Sequence, residues 1–187
     1  MKILFFSDVH ADWKALERLL AVEADYYFCA GDLLSTGNAV SWARDLDRAG
    51  QMLRHLESRL MIIPGNHEPE QDIAQLAKNF GFQAMHGRHS EIGGIGIAAL
   101  GYSNLTPFNT PGEYSEAEIS QRLEPFSGLQ RYVLICHCPP KGTPLDKAGE
   151  GRHYGSSAVA DFLLKSAPLY FFCGHIHESE GVSCRVG

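Results

Sequence analysis

Residues 3–10 read ILFFSDVH: four large apolar residues, a serine, and then Asp8 and His10. A short unbroken apolar run fits a strand buried on both faces, the strand type of a parallel sheet. The pattern recurs down the chain. YYFCAGD (26–32) ends on Asp32, LMIIPGNHE (60–68) carries Asn66 and His67, YVLICH (132–137) ends on His137, and YFFCGHIH (170–177) carries His175 and His177. One polar tail after a strand means little. Five in succession predict a sheet whose strand ends converge on one polar site, where open α/β sheets bind ligands.

The segments between these runs read as helices. Apolar spacing predicts them over about 13–22, 39–58, 70–80, 115–125 and 156–166. Asp12 and Asn38 stand at N-cap positions, Gly81 stops the third helix, and Ser115 with Glu118 forms a capping box. Strands over 2–7, 25–30 and 60–63 alternate with helices, so parallel pairing with right-handed crossovers is expected. FQAM (82–85), SEIGG (90–94) and GIGIAALG (94–101) read as short antiparallel strands joined by hairpins. Further strands are expected over 131–136 and 169–173. The loops 102–114 and 139–154 are long enough to be binding loops or lids. GVSCRV (181–186) reads as the start of one more strand. The expectation is a single domain over 1–187, truncated at its C-terminal end.

Composition narrows the function classes. The net charge is −6 with no basic run, which argues against an extended nucleic-acid footprint. No apolar run approaches the ~20 residues that span a bilayer. Five cysteines and no secretory signal pattern predict free thiols in a cytoplasmic, reducing setting. Cys136 and Cys138 flank His137, and in an extended segment they face away from it, as core residues.

The donors Asp8, His10, Asp32, Asn66, His137, His175 and His177 combine imidazole, carboxylate and amide without thiolate. That mixture suits Mn, Fe or Zn rather than a cysteine-based structural zinc. Asp8 and His10 are two apart, as are His175 and His177, and extended backbone would put each pair on one face. Asp32 follows Gly31 and Asn66 follows Gly65, where glycine permits a sharp turn. The set is too large for one tetrahedral ion and suits two divalent ions sharing a carboxylate. Such a pair clamps a phosphoryl group and activates a bridging hydroxide. Asp8, Asp32 and that hydroxide leave the centre cationic, so it should attract phosphate.

The order D-V-H, G-D, G-N-H-E, a lone histidine after a strand, and G-H-I-H closely resembles the calcineurin-like metallophosphoesterase superfamily. The loop from Pro139, with Gly155 and the helix after it, looks like the small bacterial phosphodiesterases of that superfamily. The resemblance implies a four-layer αββα sandwich, two mixed β-sheets flanked by helices. It implies one metal on Asp8, His10, Asp32 and His177 and another on Asp32, Asn66, His137 and His175. His67 matches the histidine that contacts the phosphate and helps protonate the leaving oxygen. Phosphodiester hydrolysis of a small phosphorylated substrate, a nucleotide among the candidates, stands ahead of phosphomonoester hydrolysis. A nuclease, a nucleotide pyrophosphatase or a non-catalytic scaffold are the rival readings. Ser103, Asn104, Lys141, Arg152 and His153 are candidate substrate contacts by their loop positions. Glu68 reads as a cap or brace of the helix that follows it, and His55, His86 and His89 as structural or solvated histidines.

Overall fold

Alternate residues of the central strands enter different layers, and this alternation organises the molecule. The computed structural model describes residues 1–35 and 37–185. The first half is β1 (Ile3–Phe6), α1 (Trp13–Leu20), β2 (Tyr26–Cys29), α2 (Ala39–Leu53), β3 (Leu60–Ile62), α3 (Glu70–Phe80) and β4 (Gln83–Ala84). Its strands pair in the order β1-β2-β3-β4, all parallel. The second half holds β5 (Arg88–Ile92), β6 (Ile95–Leu100), β7 (Ser103–Asn104), β8 (Glu113–Tyr114), α4 (Glu116–Leu123) and β9 (Tyr132–Cys136). After these come β10 (Lys147–Ala148), β11 (Arg152–His153), α5 (Ser157–Ser166) and β12 (Tyr170–Phe172). A second sheet runs β12-β9-β6-β5, parallel except for the β5–β6 hairpin.

Tyr27, Cys29, Leu60 and Ile62 point to a core shared with α1, α2 and α3. Their neighbours Phe28, Ala30, Met61 and Ile63 face the other way. They meet Ile97, Ala99, Val133 and Ile135 of the second sheet. Ala98, Leu100, Leu134 and Cys136 turn outward onto α4 and α5. Three apolar clusters therefore separate four layers, helix–sheet–sheet–helix. Burying a side chain such as Phe28 fully stabilises the fold by roughly 1.5–3 kcal/mol relative to exposure.

The layered αββα architecture is the expected one, but the first sheet is wholly parallel rather than mixed. The reason is β4, which pairs with β3 in register Met61↔Gln83 instead of forming a hairpin with β5. The β5–β6 hairpin does form, closed by Gly93 and Gly94, both at positive φ as a tight two-residue turn needs. The helix expected over 39–58 ends at Leu53. A 3₁₀ stretch, Arg54–Arg59, follows and turns at Glu57 (φ 47°) so that Leu56 and Leu60 are both buried. Asp12, Asn38 and Ser115 cap their helices as expected, each cap contributing about 1 kcal/mol.

The two long loops carry their own structure. β7 and β8 close the first. Glu113 gathers it by accepting from the N–H and hydroxyl groups of Thr106 and Thr110. The second holds a 3₁₀ turn at Pro144–Asp146 and the β10–β11 hairpin. No strand forms over residues 181–185, and Val186 of the expected strand lies outside the described residues. No described helix is long and apolar enough to cross a membrane.

Candidate metal centre

The ligand candidates all leave the carboxyl ends of parallel strands: Asp8 after β1, Asp32 after β2, Asn66 after β3, His137 after β9, and His175 with His177 after β12. The loops are not extended there. Asp8 (φ 55°), His10 (47°), Asp32 (51°) and His175 (74°) are all left-handed. The pairing of Asp8 with His10 and of His175 with His177 thus comes from turns, not from alternation along a strand. A non-glycine residue in this region costs of order 1–3 kcal/mol, and such strain clusters at functional sites.

Two glycines let the loops close. A side chain at Gly65 would collide with the Asp32 carboxylate, and one at Gly174 with the carboxylate of Asp8. Backbone bonds tie the β1 and β2 loops: Asp8 N–H donates to Gly31 O, and His10 N–H to Asp32 O.

Two groups of donors result. In the first, His177 Nε2 lies 3.0 Å from His10 Nε2 and 3.4 Å from Asp8 Oδ1. In the second, His137 Nε2 lies 3.3 Å from Asp32 Oδ2 and 3.1 Å from Asn66 Oδ1. His175 Nδ1 is 2.8 Å from the same amide oxygen. Asp32 Oδ2 joins the groups, lying 3.9 Å from His10 Nε2 as well. A further trio, His10, Asp32 and His67, also brings its donor atoms within 4.8 Å of one another. The other Asp32 oxygen is occupied, accepting from His67 N–H.

Hydrogen-bond partners assign the tautomers. His137 Nδ1–H donates to Ala30 O, which leaves Nε2 as a lone pair. The Asn66 amide nitrogen donates to Thr110 Oγ1, which aims its oxygen inward. With that ring neutral, lone pairs from His137, Asn66 and Asp32 meet with no proton between them. Such convergence fits a cation. At His67, the buried Nδ1 has no protein partner, and the ring is 28% exposed beside the donors.

The electrostatics agree. Burial would raise Asp32, but the neighbouring His137 holds its carboxyl well below the usual range. Burial works against a charged His137, yet Asp32 lifts it to about 9, so without a metal this ring holds a proton. Burial and the His137 charge push His175 down to about 4, and burial also lowers His10.

Glu68 does not cap the helix after it, because Pro69 occupies that position. Its carboxylate is fully buried beneath the site and accepts from Asp32, Leu34 and Gly65 N–H. Burial and the Asp32 charge raise it to about 7, against the pull of those N–H groups. The Glu-Pro order was the available signal, since a glutamate before proline at a helix start is a poor N-cap.

The substrate-contact candidates fare unevenly. Ser103 is fully buried, with its hydroxyl spent on Asn104 O, so it cannot line a rim. Asn104 is a clip: its amide nitrogen donates to Tyr154 O and its oxygen accepts from the Cys138 thiol. Arg152 is exposed and paired with Glu150, and Lys141 is exposed. His153 Nδ1 is pinned 2.6 Å from the buried Asp146 carboxylate. Its hairpin borders the donor residues, because the Ser179 hydroxyl, two residues beyond His177, donates to Pro144 O and Lys147 O. His86 is structural, accepting from Gly101 N–H and bonded to Tyr114.

The family model of calcineurin-like phosphoesterases matches residues 1–179. The uncharacterized protein MJ1162 of Methanocaldococcus jannaschii is 28% identical over 192 residues, spanning 100% of this chain and 84% of that protein. One crystal structure shares the fold with a TM-score of 0.76 at 16% identity, covering 94% of this chain and 84% of the other. Yfce, a phosphoesterase from E. coli, aligns at 22% identity over 83% of this chain and 80% of its own, with a TM-score of 0.43.

Proposed function

Because this chain belongs to the calcineurin-like phosphoesterase family, we propose that it is a dinuclear metal-dependent phosphoesterase acting on phosphodiesters ahead of phosphomonoesters. The observation that carries the reading is Asp32 Oδ2, set between two groups of donors whose lone pairs face one another. Asp8, His10, Asp32 and His177 would hold one divalent ion; Asp32, Asn66, His137 and His175 would hold the other. Mn(II), Fe and Zn all suit these ligands. When bound, two such ions supply Lewis acidity toward phosphoryl oxygens and lower the pKa of water.

The chain's own groups do the rest. Asp8 and Asp32 bring two negative charges to a pair of divalent ions, so the pocket keeps a net attraction for phosphate. Ala30 O and Thr110 hold His137 and Asn66 in their ligating orientations, a support typically worth 10–100-fold in metal affinity. His67 is positioned through its backbone N–H on Asp32, and its ring remains free to bind phosphate and hand a proton to the departing ester oxygen. The substrate is a small phosphorylated molecule, a nucleotide among the candidates, with His153, Lys141 and Arg152 as its proposed contacts. Five free thiols support a cytoplasmic setting.

The test pairs elemental analysis with hydrolysis of an aryl phosphodiester, an aryl phosphomonoester and single-stranded DNA. About two equivalents of metal are expected, with the diester cleaved fastest. A protein that takes up no Mn(II) and cleaves none of the three would overturn the reading.

A further inference from the structure

The Glu68 carboxylate is buried, belongs to neither donor group, and has no part in the chemistry proposed above. Its bonds are unusually directed. Oε2 accepts from Asp32 N–H at 3.0 Å and from Gly65 N–H at 2.8 Å, and Oε1 accepts from Leu34 N–H at 2.8 Å. These amides lie just past the ends of β2 and β3, where ladder pairing has stopped. The clasp is reciprocal: Glu68 holds the Asp32 backbone, while the Asp32 carboxylate holds the backbone of His67. Asp32 is left-handed there, a conformation that persists only when surrounding bonds enforce it.

The other half of the site is braced differently. The Asp8 carboxylate accepts from His175 N–H at 3.1 and 3.0 Å on its two oxygens, joining the β1 and β12 loops. None of Glu68's bonds reaches either of those loops.

From this division we infer that Glu68 is a positioning residue weighted toward one donor group: it sets Asp32 and, through Gly65, the loop that carries Asn66, so its loss weakens that group more than the Asp8–His10–His177 group, which depends on it through Asp32 alone. The inference rests on the dinuclear reading above. Glutamine is not an adequate replacement. Its single acceptor oxygen cannot serve both sides of the clasp, and its NH₂ would face an N–H.

The experiment uses the full chain and Glu68→Gln, with Mn(II) as the probe. In the metal-free proteins, hydrogen exchange at Asp32, Leu34 and Gly65 should quicken by ~100-fold in the variant, the scale of losing a charged acceptor. Exchange at His175 should stay unchanged. In Mn(II) titration the unmutated protein should fill two sites, and the variant should lose at least ~10-fold more affinity at one of them than at the other. Equal binding at both sites, or equal loss at both, overturns the role of Glu68. Failure of the unmutated protein to bind Mn(II) overturns the functional reading instead, and the exchange result then decides for Glu68 alone. Should Glu68→Gln not fold, the same amides are read in the unmutated metal-free protein. There they must be protected as well as the Ile63 amide, which bonds Cys29 O, and free exchange would sink the proposal.

Discussion

The two halves of the donor array differ sharply in their exposure. Asp32, Asn66 and His137 are almost sealed, with His137 at 0% exposure, whereas the His177 side chain is 59% exposed and Asp8 and His10 are partly open. The sealed half grows from interior strands β2, β3 and β9, with His175 added from β12, and the open half from β1 and β12, each at the edge of its sheet. Depth in the sheet therefore decides how firmly each half is held. Interior loops are clamped by neighbours on both sides, by Glu68, Ala30 O and Thr110. Edge loops hold one another through Asp8 and the His175 N–H, and each is tied to an interior loop on one side only. The sealed half should bind its ion more tightly, and the open half should exchange its ion with solvent first.

The largest effect should come from the residue that joins the halves. Asp32→Ala is expected to abolish the distinction, with activity down by ~10³-fold or more and metal content collapsing at both sites. Retention of even one tight equivalent would show that the halves are independent. His67→Ala sharpens the contrast from outside: turnover should fall by about 10²–10³-fold with metal content unchanged. Metal loss in that variant would instead make His67 a ligand, as its place in the third donor trio allows. A pairwise comparison follows, in which His137→Ala should lower Mn(II) affinity more than His177→Ala by equilibrium dialysis. The reverse order would contradict the exposure argument. Thr110→Val removes the support of Asn66, together with one of the bonds to Glu113, and should weaken the sealed half by about tenfold, leaving the open half as it was.

The smallest effect lies in the loops around the site. Although burial pushes Glu113, Glu116 and Asp146 up, their hydrogen bonds hold all three below the ordinary carboxyl range. A depressed folded-state pKa gives stability that is present above the unfolded value, roughly 4 for carboxyls, and is lost as pH falls through the folded one. The share of stability these three supply should be constant between neutral pH and about 5 and decline below that, with Glu113→Gln losing part of the Tm decline on acidification.

What was legible in the sequence followed from apolar runs. Each buried strand announces itself, and the polar residue after it is then located to within one position. The donor set is therefore readable from the sequence alone. The caps at Asp12, Asn38 and Ser115 were equally local. The misreadings had non-local causes. β4 has only two residues, and its choice of β3 over β5 depends on where α3 delivers it. Ser103 and Asn104 follow a strand, as the ligand candidates do, but they fold under a loop gathered by Glu113. Glu68 looked like a helix brace because its partners, Asp32 and Leu34, lie more than thirty residues earlier.

The left-handed turns have a bearing on which substitutions the protein can explore. Among side chains able to grip a hard cation, aspartate, asparagine and histidine are also the ones that tolerate such backbone without a branched or bulky Cβ clash. Positions 8, 10, 32 and 175 therefore face two filters that admit nearly the same short alphabet. Glutamate would satisfy the cation and strain the chain; glycine would relax the chain and abandon the cation. Drift at these four places is confined by the skeleton as much as by any demand to grip a cation.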